Sequence, residues 1–324
     1  MTVAFPVLVV GDANVDLVLR GDVVPRFGQV EQLLDGADLV LGGSASIVAA
    51  GLARLGVPTS LAAVVGADEF GRFTRAALDA AGVSTASVRV SDVDPTGVSV
   101  ILSTQDDRSI LTLPGAIPML TAAEVRSAAR ESGARWVHFA SPFLMPGFAT
   151  EIPALVAEFS AAGIGSSIDT NWDPSEQWMG LVDVLMAVDV LLPNRAELLA
   201  IVAAVAPAGT DVTTPQGAAA AIAALGVRVV VKDGSAGGWS LDASGEAASA
   251  PGLVLDVVDT TGAGDSFDAG YLAARAYGVA DEQTRLRWAA VAGSLSTRAA
   301  GGTGAQATLA ELLAIVEAPG TDPA

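Results

Sequence analysis

Short apolar runs alternate with segments of helical periodicity along most of this chain, and that alternation constrains the fold more than any other feature. The apolar runs fall at 6–10, 60–65, 136–139, 164–168, 190–192, 227–231 and 253–258. Apolar and small residues recur at helical spacing over 42–55, 70–81, 122–132, 150–161, 196–205, 215–225, 265–277, 282–299 and 308–316. Gly56, Gly82 and Gly278 stand where such helices should stop. Strands that take turns with helices pair in parallel, because each helix carries the chain back to the starting edge. The helices then cover both faces of the sheet. The expected fold is α/β, with a mainly parallel central sheet.

Two stretches break the pattern. From 88 to 113 the segments are short and alternating, with turn signals at Asp94-Pro-Thr-Gly97 and Asp106-Asp107 and no helix. That reads as a small antiparallel sheet. The stretch 15–40 also alternates, interrupted by Pro25 and Gly28. Paired together, the two would project from the main body as a lid, in insertions of roughly 15–41 and 95–113. No linker and no internal repeat divides the chain, so residues 1–324 are expected to form a single domain.

Composition removes several function classes. The formal net charge of −19 disfavours nucleic acid and anionic membrane as partners. No apolar run reaches the roughly 18 residues that span a bilayer. The N-terminal stretch lacks the basic, apolar and small-residue pattern of an export signal. With no Cys there is no disulfide framework, thiolate nucleophile or Cys metal site, so a cytoplasmic location is the expectation. The single histidine, His138, lies in the strand-like Arg135-Trp-Val-His-Phe-Ala140 and reads as a core or strand-end residue. No Gly-x-Ser-x-Gly elbow accompanies it.

The chemistry concentrates where apolar runs end. Asp259-Thr-Thr-Gly-Ala-Gly-Asp-Ser-Phe267 is a Gly-rich turn that opens a helix. Free amides and the helix dipole make such a turn an anion site. An acid there, Asp265, makes sense if it takes a proton from a nucleophile while the amides of Gly262, Ala263 and Gly264 hold a phosphoryl group. In Gly11-Asp-Ala-Asn-Val-Asp16, Asn14 and Asp16 share one side of an extended segment and suit paired hydroxyls. A polar strand end would look the same. Gly42-Gly43 lets backbone approach a ligand, or simply makes a tight turn. Asp169-Thr-Asn171 follows another strand candidate, at the carboxyl edge where open α/β sheets bind ligands. Asn194 and Glu197 offer oxygens suited to Mg²⁺ held partly through water, or else an ordinary helix start. Lys232, the only lysine, precedes Gly234 and Gly237 in a strand–turn–strand that would lie beside nucleotide phosphates or adenine. Neither a Walker A loop nor the dinucleotide fingerprint is present.

These motifs, in this order, resemble the ribokinase-like carbohydrate kinases of the PfkB family. Asp259 to Phe267 resembles the family's C-terminal signature. Gly42-Gly43 with its helix, and Val65-Gly-Ala-Asp-Glu-Phe-Gly71, resemble the N-terminal one. The resemblance implies a ribokinase-like three-layer α/β/α fold with a β-sheet lid. It implies ATP- and Mg²⁺-dependent phosphorylation of a hydroxymethyl group on a sugar or nucleoside. Asp265 would be the general base, residues 262–264 the anion hole, and Asn14, Asp16, Gly42 and Gly43 the substrate contacts. Asn194 and Glu197 would organise Mg²⁺, and Asp259 and Thr261 match the first half of a K⁺ site that the loop 299–304 would complete. Arg108, in the lid, would reach substrate or phosphate; an exposed arginine is the equal alternative. Lid sheets of the family often pair between subunits, which implies a homodimer.

Three positions depart from the family pattern. Ile47 replaces the usual Asn after the paired Gly, removing a sugar contact. Ala140 stands for an acidic residue before Ser141-Pro142, and Asp233 for an apolar one. Asp169-Thr-Asn-Trp-Asp173 is more like fructokinases than ribokinases. A nucleoside acceptor would call for an aromatic lid, and with nine Phe and two Tyr a free sugar of the fructose, ribose or keto-sugar-acid class ranks first. A non-catalytic sugar or nucleotide binder ranks last, because Asp265 and its loop are intact.

Overall fold

The computed structural model describes residues 2–104, 108–206 and 213–318; the turn signal at Asp106-Asp107 lies outside them. The chain enters on β1 (Val7–Val10), runs through β2 (Asn14–Gly21) and β3 (Leu34–Gly42), and returns by α1 (Ser44–Arg54) to β4 (Thr59–Gly66). Next come α2 (Glu69–Ala80), β5 (Val88–Ser91), β6 (Gly97–Ser103) and β7 (Arg108–Leu113). Alternation resumes with α3 (Ala122–Ser132), β8 (Trp136–Ala140), α4 (Pro146–Ala149), α5 (Ile152–Ala161) and β9 (Gly165–Asp169). It continues with α6 (Leu181–Leu185), β10 (Val190–Leu191), α7 (Arg195–Val205), α8 (Pro215–Ala223) and β11 (Arg228–Lys232). After β12 (Gly238–Leu241) and β13 (Ala247–Ala250), α9 (Ala263–Ala276), α10 (Glu282–Ser296) and α11 (Leu309–Val316) complete the described chain.

The main sheet has nine strands in the order β13-β12-β11-β10-β9-β8-β1-β4-β5. Neighbours from β11 to β5 run parallel, and β12 and β13 are antiparallel. Alternation along each strand divides the core. Val7 and Val9 of β1 pack with α1, α9 and α10, whereas Leu8 and Val10 pack with α3, α5 and α7 on the other face. The layers are therefore helix, sheet, helix, the ribokinase-like α/β arrangement expected from the sequence.

The second sheet has the order β3-β2-β6-β7. The β2–β3 and β6–β7 pairs are antiparallel, but β2 and β6 run parallel, in register from Asn14↔Gly97. Its polar–apolar alternation follows from having one face toward the main body and one toward solvent. Residues 88–91 belong elsewhere. As β5 they extend the main sheet, with Val88 beside Ala63.

One strand expectation fails. Residues 253–258 form no strand, and Val254, Val257 and Val258 are exposed. Pro251 has no N–H, which ends the pairing of β13. Beyond it the backbone bonds to α10. Leu253 N donates to Ser294 Oγ (3.0 Å), and Val258 N and Asp259 N donate to Thr297 O (2.8 and 3.2 Å). A run of Val and Leu reads as a strand only if a neighbouring edge is free to pair with it.

Among the described residues no helix is long and apolar enough to cross a membrane.

Candidate active site

The carboxyl ends of β1, β8, β9 and β11 converge with the N-terminus of α9. Above them, with the second sheet as roof, lies a cavity of about 610 Å³. Asn14, Asp16, Gly43, Ile47, Arg108, Asn171, Thr261, Gly262 and Asp265 all line it. Side chains from both halves of the sequence thus meet in one cavity.

Asp265 sits in the first turn of α9, whose N-cap, Gly262, has φ 70° and supplies no side chain. Glycine is needed there, because a Cβ would fall 2.6 Å from the Gly302 Cα. The Ser266 amide returns to Gly262 O (2.9 Å) and the Ala263 amide to Thr260 O (3.2 Å), closing the turn around Gly264 and Asp265. Burial raises the Asp265 carboxyl to about 7, and the nearby Asp169 charge adds to it. The Ser44 hydroxyl donates to Asp265 Oδ1 (2.5 Å) and, with Lys232, favours the ionised form.

Ser44 and Asp12 were not singled out from the sequence. The Asp12 carboxylate accepts the amides of Ser44 (3.1 Å) and Ala45 (3.0 Å), capping α1 from the turn between β1 and β2. It holds Ser44 against Asp265. The only available signal was that Asp12 and Ser44 stand inside motifs already quoted.

Asn14 and Asp16 face the same side of β2, and Asn14 Nδ2 donates to Asp16 Oδ1 (3.0 Å) and Ser99 Oγ (3.3 Å). Burial and the Asp12 charge push the Asp16 carboxyl up to about 7. Gly42 is required by that carboxylate: a Cβ at this position would lie 2.1 Å from Asp16 Oδ1. Gly43 has φ 87°, and its Cβ would meet Asn14 Oδ1 at 2.7 Å. The paired glycines therefore make room for the polar pair.

Asn171 is held at the cavity wall by its neighbours. Its Oδ1 accepts from Ser141 N (3.1 Å) and Ser141 Oγ (2.8 Å), and its own amide donates to Asp169 Oδ1 (3.1 Å). Arg108 Nη1 reaches across from β7 to Thr261 Oγ1 (3.2 Å). The Asp259 carboxylate ties down the start of the glycine-rich turn, accepting from Thr261 N (2.9 Å), Thr261 Oγ (2.8 Å) and Gly301 N (2.9 Å).

The sequence places Lys232 beside nucleotide phosphates or adenine, and the structure ties its ammonium to buried carboxyls. Its Nζ points under the loop, to Asp169 Oδ2 (2.6 Å) and Asp268 Oδ2 (3.2 Å). A Cβ on Gly264 would be 3.7 Å from that Nζ, so the charge lies directly beneath the turn. Burial opposes the lysine charge, but Asp169 and Asp268 outweigh it and hold the pKa above its usual value. Burial likewise opposes ionisation of Asp169, yet Lys232 and the Asp268 hydrogen bond keep its carboxyl below the usual range. Asp268 goes the other way: burial raises it well above that range, so it keeps its proton. The cluster is one cation, one anion and one neutral acid. Asp268 is a third residue missed in the sequence, where it looks like any polar helix position.

Asn194 and Glu197 form a capping box on α7: Glu197 N donates to Asn194 Oδ1 (2.9 Å) and Asn194 N to Glu197 Oε2 (2.8 Å). The ordinary reading of that motif is realised. Burial and the neighbouring Asp169 charge nevertheless raise Glu197 to about 7. Gly234 and Gly237 turn the chain between β11 and β12, with φ of 58° and 94°. His138 is fully buried, bonded through Nδ1 to Ser167 Oγ (2.9 Å), and burial lowers its pKa to about 4. It is a core residue.

A buried acid poised near neutrality, an adjacent helix N-terminus and a polar pair across a roofed cavity can deprotonate a bound hydroxyl while amides hold an anion. A family model described as "pfkB family carbohydrate kinase" matches residues 5–309. The ribokinase of Arabidopsis thaliana is 30% identical over 309 residues, covering 91% of this chain and 77% of that protein. An ATP-dependent ribose-1-phosphate kinase of Halopiger xanaduensis is 32% identical over 269 residues, covering 82% and 83%. The solved structure of the Arabidopsis ribokinase complexed with ribose and ATP superposes with a TM-score of 0.81 at 26% identity, covering 97% of this chain and 99% of that one.

Proposed function

The chain belongs to the pfkB family of carbohydrate kinases and is an ATP-dependent sugar kinase of the ribokinase and fructokinase type, and we propose that it phosphorylates a hydroxymethyl group with Asp265 as general base. The observation that carries this reading is the placement of Asp265, at the cavity floor, in the first turn of α9, bonded to Ser44. At about 7 its carboxyl matches the requirement that a base be ionised at neutral pH yet basic enough to take a proton.

The acceptor hydroxyl lies against Asp265, with neighbouring hydroxyls on Asn14 and Asp16. The turn at 262–264 faces the transferring phosphoryl group, and Lys232 beneath it offsets the charge of Asp169. ATP lies along the Gly234–Gly237 turn on the far side of α9. Asn194 and Glu197 are hard oxygen donors at a helix start and suit Mg²⁺ held through water, which would shield phosphate charge. Asp259, which accepts the Gly301 amide, and Thr261, bonded to Asp259, would hold K⁺. The second sheet closes over the acceptor and keeps out water, which competes for the phosphoryl group. Its β7 strand presents Leu111 and Leu113 to solvent, 57% and 55% exposed, and a homodimer would cover them.

The test is ATP consumption by the purified chain over a panel of ribose, fructose, keto-sugar acids and nucleosides, repeated with Asp265→Asn. Loss of a general base lowers turnover by about 10²–10⁴-fold. Near-normal turnover in that variant would remove Asp265 from the chemistry.

A further inference from the structure

Six hydroxyl side chains line the acceptor cavity, those of Ser44, Ser99, Thr112, Ser141, Thr170 and Thr261. Four of them are engaged away from Asp265. Ser99 Oγ meets Asn14 Nδ2 (3.3 Å) and Thr112 Oγ1 (3.1 Å). Ser141 donates to Asn171 Oδ1 (2.8 Å), and Thr261 to Asp259 Oδ1 (2.8 Å). Thr170 Oγ1 is buried and bonded to nothing. Among the six, only Ser44 gives its proton to Asp265, at 2.5 Å.

Ser44 is held in that position. It is the first residue of α1, after Gly43 at φ 87°. The Asp12 carboxylate accepts its amide (3.1 Å) and that of Ala45 (3.0 Å), which fixes the backbone from which the hydroxyl projects. A hydroxyl within hydrogen-bond reach of a base, with a third group setting the geometry, is the arrangement that activates a nucleophile.

The turn proposed to face the phosphoryl group lies against the same part of α1. Ser44 and Ile47 are three residues apart and so share a helix face. A Cβ on Gly262 would come 3.1 Å from Ile47 Cγ2, so this face packs on the 262–264 turn. Hydroxyl, base and turn therefore meet at one end of the cavity. In the absence of a sugar, the hydroxyl at the base is the chain's own.

We infer that Ser44 is itself a phosphoryl acceptor, so that the chain, when no sugar fills the cavity, phosphorylates its own Ser44 and closes its acceptor site. Ser44 Oγ forms a bond to the γ-phosphorus of ATP. The bond from that phosphorus to the bridging oxygen breaks, ADP leaves with the electron pair, and the hydroxyl proton passes to Asp265. The phosphoserine brings a charge of about −1.5 to −2 into a cavity already lined by Asp12, Asp16 and Asp265. It fills the space in front of the base. A bound sugar takes the place of the Ser44 hydroxyl at Asp265 and protects the residue. The inference rests on the reading of Asp265 as general base and adds a control of the same site by acceptor supply.

The experiment incubates the full chain with Mg-ATP labelled on the γ-phosphate, without sugar, and maps the label by peptide mass spectrometry. Label is expected on Ser44, at a rate per chain that does not change with protein concentration, as transfer within one chain requires. Phosphorylation of the best sugar in the panel should fall in proportion to the label, and saturating sugar present from the start should suppress labelling. Asp265→Asn should slow labelling by about 10²–10⁴-fold, the effect of losing a general base. Ser44→Ala should remove the label, with thermal unfolding to confirm that this variant is folded. An unlabelled Ser44 in a chain that phosphorylates a sugar, or label on Ser44 with no loss of sugar phosphorylation, would overturn the inference and leave the sugar-kinase reading standing. No transfer to Ser44 or to any sugar would overturn both.

Discussion

Lys232→Met tests the charge cluster beneath the catalytic turn. In the native chain, Lys232 Nζ is 2.6 Å from Asp169 Oδ2 and 3.2 Å from Asp268 Oδ2, and both carboxyl groups are fully buried. At 2.6 Å and an effective dielectric constant of roughly 20, the attraction between the charges of Lys232 and Asp169 is about 6 kcal/mol. Desolvation of the two ions cancels much of that gain, and removing one partner of a buried pair costs about 3–5 kcal/mol. Unfolding entropy at roughly 2.1 cal/mol/K per residue gives about 0.7 kcal/mol/K for 324 residues. The expected fall in Tm is therefore about 4–7 °C. The double variant Lys232→Met with Asp169→Asn removes both charges and keeps an oxygen to accept the Asn171 amide. It should regain more than half of the loss, because neutral replacement of a buried pair is often tolerated. Thermal and denaturant unfolding of the three proteins measures this. A single variant as stable as the parent, or a double variant less stable than the single, would refute the charge-balance reasoning.

Further predictions concern acids that burial perturbs. The proposed mechanism needs Asp265 ionised, and burial raises its carboxyl to about 7, so kcat/KM should fall as pH drops through about 7. Ser44→Ala withdraws a hydrogen bond that favours the ionised form, so the acid limb should move to higher pH by roughly one unit, seen in the same profile. Asp16, Glu197 and Asp265 bind protons more tightly in the folded chain than in the unfolded one. Their contribution to stability is therefore full below the unfolded values near 4 and is lost as pH rises through about 7. The lowered carboxyls Asp68, Asp173 and Asp259 act oppositely, losing their contribution as pH falls below about 4. Maximum Tm should lie at about pH 4–6, and a maximum above pH 8 would contradict these assignments. Gly42→Ala places a methyl group 2.1 Å from Asp16 Oδ1 and should raise the acceptor KM at least tenfold, with a smaller effect on the ATP KM.

The motifs that carry the site were legible because each is local. Asp265 and its glycines, or Asn14 with Asp16, lie within one turn or strand, where residue type and spacing fix the geometry. The strand at 253–258 was misread for the opposite reason. Its apolar pattern is local, but whether it pairs depends on Pro251 and on α10, which takes its backbone hydrogen bonds. The same holds for 88–91, which looks like lid sequence and joins the main sheet because β4 has a free edge there.

By itself the sequence determined the α/β layering, the order of the motifs and the place of Asp265 in a glycine-rich helix start, since backbone periodicity and turn chemistry act over a few residues. Tertiary structure decided which way Lys232 points, that Asp12 rather than a neighbour caps α1, and that Phe143 and Trp172 line one cavity with Asp265. Those facts depend on electrostatics, capping and packing between residues far apart in the chain. Such interactions become defined only once the strands are side by side and water has left the space between them.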